Sequence, residues 1–225
     1  MDGLRFLIET YRPKRMLHTD LGGDGVVTGY EDSLGSYKTD TVARALLPEA
    51  AGQAGVNSIT AVGCTGCEGG GGELSGEWFA ATLLFAEKQG AFLGVTEPGR
   101  EHIGEIQALL TLAESGMLPY YLAALQGKRT ARISMAYLYG EYPVEPWHKL
   151  VYPLYTEKHC RIPPICIQAM GRGAWALRNY EKHRPKPLRE LRQIYTTIKR
   201  KGANYGYSLL DKRKTPINKL LKLCG

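Results

Sequence analysis

Leu4, Phe6 and Ile8 alternate with Arg5, Leu7 and Glu9, a period of two that predicts a first β-strand, ended by Pro13. Glycines at 22, 23, 25, 29 and 35 make Asp20 to Ser36 a long loop or hairpin. Thr39 or Asp40 can cap a helix carrying Val42, Ala45, Leu46 and Ala50, which Pro48 must bend or end. Ser58 to Gly63 reads as a strand, and Cys64 to Gly76 is too rich in glycine for regular structure. Ser75 starts a helix with Trp78, Leu83 and Phe85, running to Lys88 before Gly90 stops it. Ala91 to Thr96 is a further strand, and Glu97-Pro98-Gly99 its turn. His102 to Ser115 places Ile103, Ile106, Leu109, Leu110 and Ala113 on one helical stripe that ends at Gly116.

Beyond Gly127 the pattern turns extended. Ala131, Ile133, Met135, Tyr137 and Tyr139 share one side of a strand whose other side carries Arg132, Ser134 and Ala136. Leu150 to Tyr155 and Pro164 to Met170 continue it, with Pro143, Pro146, Pro153, Pro163 and Pro164 marking edges and turns. Pro187 or Leu188 opens a helix to about Lys201, with Leu188, Leu191, Ile194, Tyr195 and Ile198 inside and Arg189, Arg192, Lys199 and Arg200 outside. Gly202 ends it, and Asn204 to Leu210 reads as a closing strand before a basic tail. Strand and helix alternate in both halves, so the fold class expected is α+β, a ferredoxin-like (RRM-like) sheet with helices on one face, or two such subdomains.

Composition sharpens this picture in one respect. Residues 1–127 hold 8 Lys+Arg against 16 Asp+Glu, a balance of −8, whereas residues 128–225 hold 21 against 6, a balance of +15. The division gives an acidic, glycine-rich α/β half at 1–127 and a basic α+β half at 128–225. A cationic stretch of this strength repels itself unless an acidic partner lies against it, and nucleic acid is the commonest such partner. Eleven of the 14 tyrosines also follow residue 119. Cations with interspersed rings suit single-stranded nucleic acid, phosphates meeting the charges and unpaired bases the rings. The alternative is a solvated basic face with tyrosines in the core. No apolar run reaches the roughly 20 residues a bilayer span needs, and five cysteines do not make a disulfide framework. A cytoplasmic chain without a membrane partner is the expectation.

Candidate chemistry is sparse. Cys64-Thr65-Gly66-Cys67 is half of a zinc site, for which the other close ligands are His159, Cys160 and Cys166. A structural zinc and unliganded loop thiols both stand as readings. Glycines at 66, 69, 70, 71, 72 and 76 suggest a phosphate loop, but the GxxxxGK[ST] pattern is missing. His148 with Lys149, or His159 with Lys158, would be the base and cation of a metal-independent ribonuclease. The densest basic feature, Arg172 to Lys201, includes Arg172, Arg178, Arg184, Arg189, Arg192, Lys199, Arg200 and Lys201, and Tyr205 and Tyr207 follow it. This segment is the first choice for RNA contact, with Gly202 and Gly206 allowing close backbone approach.

Three pieces of sequence carry a family resemblance: the opening Leu4 to Tyr11, the helix entry Tyr37-Lys38-Thr39-Asp40-Thr41-Val42-Ala43-Arg44-Ala45-Leu46-Leu47, and Ile198-Lys199-Arg200-Lys201-Gly202-Ala203-Asn204-Tyr205-Gly206-Tyr207. Together they resemble the RAMP superfamily, the repeat-associated RNA-binding proteins of CRISPR effector complexes, and the length is similar to that of the subunit capping the 5′ handle of the guide RNA. The resemblance implies a ferredoxin-like fold and a non-catalytic, guide-RNA-binding role in antiviral defence, with Arg172, Arg178, Arg192, Lys199, Arg200 and Lys201 near the RNA and the acidic half against other subunits. The chain departs from the pattern in its reduced C-terminal glycine loop and in its CxxC. A single CxxC is also similar to the zinc-bearing component of minimal type IV complexes, which would imply reading duplex DNA beside the target. Guide-RNA-processing endoribonuclease and zinc-stabilised DNA-binding module are the alternative functions.

Overall fold

The computed structural model describes residues 2–26, 38–65, 74–112, 115–134, 139–155 and 189–216, with residues 219 and 222. They form a mixed α+β structure of seven α-helices, a three-stranded sheet and a two-stranded sheet. In chain order the elements are α1 (Asp2–Tyr11), β1 (Arg15–Leu21), α2 (Lys38–Gln53), β2 (Asn57–Gly63), α3 (Gly76–Lys88), α4 (Ile103–Leu112), α5 (Leu118–Leu125), β3 (Thr130–Ser134), β4 (Tyr139–Pro143), β5 (Val151–Tyr155), α6 (Arg189–Lys201) and α7 (Ala203–Asp211).

Two expected strands are helices. Leu4, Leu7, Ile8 and Tyr11 recur at helical spacing, and that stripe, with Ile8 buried, prevails over the shorter alternation. Arg5 donates to Gln53 Oε1 at 2.8 Å, tying α1 to the end of α2. At the other end, Ala203, Gly206, Tyr207 and Leu210 stand at i, i+3, i+4 and i+7, and the last three are buried on one face of α7. Gly202, at φ +86°, makes the left-handed break between α6 and α7. The long strand expected from Ala131 is an antiparallel hairpin, with Ser134 opposite Tyr139. α2 runs through Pro48 to Gln53, although the proline deprives it of one amide donor. The helices starting at Ser75 and Ile103, and the strands β2 and β5, lie where the pattern expects them. Ser75 caps α3, its Oγ accepting from the Trp78 amide at 3.3 Å.

In the larger sheet β2 is central, parallel to β1 through the α2 crossover and antiparallel to β5. Residues 92–96 lie along the far side of β5, where Thr96 and Val151 exchange both backbone bonds at 2.9 and 2.8 Å. The strand expected at Ala91–Thr96 is thus reduced to isolated bridges. Val95 also donates to the Arg213 carbonyl and accepts from the Thr215 amide, so the sheet draws on both sides of Gly127.

The main core forms around α3. Trp78, Phe79, Leu83 and Phe85 pack with Val62 of β2, Tyr152 and Leu154 of β5, Leu191 and Ile198 of α6, and Tyr207 and Leu210 of α7. A second cluster joins Cys64, Met117, Tyr120, Tyr121 and Ile133. α7 crosses α3 so closely that a Cβ on Gly206 would lie 2.6 Å from Ala80 Cβ and 3.2 Å from Ile198 Cγ2. This glycine therefore serves helix packing. Gly206→Ala gains about 1 kcal/mol of helix propensity but, at so short an approach, incurs an overpacking cost of about 2–3 kcal/mol, for a net loss of about 1–2 kcal/mol. Thermal unfolding should show a Tm several degrees lower; an unchanged or raised Tm would contradict the contact.

Candidate nucleic-acid interface

α6 is amphipathic because its apolar residues recur every three or four positions. Leu191 and Ile198 are buried and Ile194 and Tyr195 half-buried, which turns Arg189, Arg192, Lys199 and Arg200 to solvent. Lys201 is exposed at the helix end. The last-turn cations also meet the partial negative charge of the helix C-terminus. Among the described residues none of these five cations makes an ion pair. Several other cations are paired: Lys88 with Glu190 at 2.8 Å, Lys149 with Glu97 at 2.6 Å, Lys214 with Asp211 at 3.0 Å, and Arg213 with Glu87.

Rings anchor the helix from below. Tyr195 stacks on Trp78 with ring centroids 3.6 Å apart and planes 6° from parallel, and Lys199 Nζ lies 5.7 Å from the Tyr195 centroid. Lys201 Nζ lies 4.2 Å from the centroid of half-buried Tyr205. Tyr207, by contrast, is 5% exposed and packs against Trp147 at 4.6 Å and Phe79 at 6.0 Å. It is a core residue and offers no face to a base. Of the two tyrosines singled out from sequence, Tyr205 alone stays beside the cations.

The other candidates do not join this face. His148 lies 3% exposed in a short turn, Pro146–Lys149, its Nδ1 accepting from the Glu145 amide at 3.0 Å and lying 3.0 Å from the Tyr120 hydroxyl. Because an amide can only donate, Nδ1 is the acceptor and the proton sits on Nε2. Burial pushes the pKa of this ring from 6.5 down to about 4. His148 is a neutral brace for Tyr120, enclosed away from any scissile phosphate. Cys64 is buried at the end of β2 with φ +55°, and among the described residues no group of three or more His, Cys, Asp or Glu could hold a metal ion. Arg172, Arg178, Arg184, His159, Cys67, Cys160 and Cys166, like the glycines at 66 and 69–72, lie outside the described residues.

Sequence reasoning missed the polar residues that share the cationic face. Gln193, Thr196 and Thr197 are exposed between Arg189 and Arg200, and the helical period that sorted the cations outward was also their signal. No family model, curated protein or solved structure matches this chain.

The buried imidazole makes stability depend on pH. Its folded pKa lies below the unfolded value, so the unfolded chain takes up the proton first and the contribution of the neutral ring is complete only above about pH 6.5. Acidification from about 6.5 to about 4 should remove up to about 3 kcal/mol, with no further loss from this group below that window. Urea titrations across it should show the decline in the wild type and a shallower one in His148→Gln, which keeps an acceptor but cannot titrate there. Parallel slopes would remove the assignment.

Proposed function

We propose that this chain binds single-stranded RNA along the outward face of α6. One observation carries the reading: Arg189, Arg192, Lys199, Arg200 and Lys201 stand exposed on one helix without an acidic partner among the described residues, whereas Lys88 and Arg213 beside it are paired. The face is a helix width of donors beside a half-buried ring, chemistry that suits phosphates and a stacked base. Glu190 is the single acid in α6, and Lys88 neutralises it.

The fuller form of the proposal is a guide-RNA-binding subunit of a CRISPR-type ribonucleoprotein with a ferredoxin-like arrangement, its acidic half meeting neighbouring subunits. The resemblance supports it, as does the β1-α2-β2 unit with antiparallel β5 alongside. Two of the three pieces bearing the resemblance, Leu4 to Tyr11 and Asn204 to Tyr207, are helical. The RNA-binding reading therefore stands on α6 and is independent of the kinship.

Single-strand binding changes with salt by about 0.7 in log–log slope per phosphate neutralised, so five contacts imply a slope near −3.5 and about a 3,000-fold affinity loss from about 50 to about 500 mM salt. Replacing Arg189, Arg192 and Arg200 together by Ala should reduce the slope by about 2. Fluorescence anisotropy with a short labelled RNA measures both. Equal binding at the two salt concentrations would end the proposal, and an unaltered slope in the triple variant would move the contact elsewhere.

A further inference from the structure

An open groove of about 340 Å³ runs between α3, α6 and α7, close to the lower bound of small-ligand pockets. Its apolar walls include Leu84 of α3, Ile194 and Ile198 of α6, and Leu209 of α7, with the Tyr205 ring also lining it. Gln193 and Thr197 line it from α6. These two continue in one helical row into Arg189 on one side and Arg200 on the other, at spacings of four, four and three residues. Charges of α6 thus bracket the lip of an apolar slot.

We propose that this groove is a base-binding subsite, in which one unpaired base of a single strand lies between α3, α6 and α7 while its flanking phosphates meet Arg189 and Arg200. The inference rests on the RNA-binding reading and adds where the base goes. The walls supply apolar and ring surface for the flat faces of a base, and Lys201 stands 4.2 Å from the Tyr205 centroid, adding a cation at the edge of the slot. Thr197 already donates to the Gln193 carbonyl at 3.0 Å, leaving its oxygen as an acceptor. The Gln193 carboxamide can both donate and accept, so it meets the polar edge of any base. Both acids beside the groove are neutralised, Glu87 of α3 by Arg213 and Glu190, on α6 itself, by Lys88. Of the described cations around the groove, Lys88 and Arg213 are paired and Arg189 and Arg200 are not, so the phosphates meet α6 and the base turns inward. Every base has flat faces and a polar edge, so the subsite tolerates sequence.

An abasic strand separates this inference from the reading beneath it, because it keeps the phosphates and lacks the bases. Anisotropy at 50 mM salt would compare a labelled ten-nucleotide oligouridylate with an abasic ribose-phosphate oligomer of equal length on the wild-type chain. The oligouridylate should bind at least about tenfold more tightly. Leu209→Trp, which fills the groove, should erase the difference and leave abasic binding unchanged. Gln193→Ala, at an exposed position that does not threaten folding, should narrow it several-fold. Equal affinity of the wild type for both oligomers overturns the subsite and leaves phosphate binding by α6 intact. Absence of binding to either overturns both readings.

Discussion

The structure depends on the burial of α3. Eight of its 13 residues are enclosed, among them Trp78, Phe79, Leu83 and Phe85, a helix with too little polar surface to face water on either side. The sheet covers one side through Tyr152 and Leu154, and α6 and α7 cover the other. That requirement fixes the orientation of α6. Once Leu191, Ile198 and the Tyr195 ring are committed to α3, the remaining arc of the helix must face outward, and nearly all of its charged residues are cations. The candidate interface follows from packing: the apolar stripe and the cationic stripe are two sides of one helical period.

The same argument separates the parts of the fold that were legible in the sequence from those that were not. α3, α4, α6, β2 and β5 were legible because their periodicity extends over a full element and is bounded by Ser75, Gly90, Gly116 or Gly202. α1 and α7 were not, because each offers two patterns at once. In Leu4 to Glu9 a period of two competes with Leu4, Leu7, Ile8 and Tyr11, and Leu7 already breaks the alternation. In Asn204 to Leu210 the alternating Tyr205 and Tyr207 imitate a strand, while Gly206 is the better signal. A missing side chain between Ala203 and Tyr207 marks a place where two helices touch, and Ala80 is the contact. The candidate site was legible to the same degree: the cations came from composition, but nothing in one sequence shows that Tyr207 faces Trp147 and Phe79, or that the Tyr120 hydroxyl and the Glu145 amide hold His148 inside.

The charges of the two halves acquire a local meaning in the structure. Glu87 and Glu97 from the acidic half meet Arg213 and Lys149 from the basic half, so part of the asymmetry is satisfied within the chain. Such exposed pairs contribute at most about 1 kcal/mol each. Their larger effect is on the potential of the surface, because the pairing of Arg213, like that of Lys88, cancels charge beside α6 while the helix's own five cations stay unopposed among the described residues.

The bonds that Val95 makes to Arg213 and Thr215 have a consequence for how the chain acquires its shape. A residue in the first half of the polypeptide has its amide and carbonyl satisfied by a segment more than a hundred positions later. Contacts this distant in sequence close late, after a large loss of chain entropy. During synthesis on a ribosome the backbone at Val95 waits, solvated, until Arg213 and Thr215 have emerged. The helical pair preceding them is therefore secured late in folding, and the candidate interface matures only after Arg213 and Thr215 have been translated.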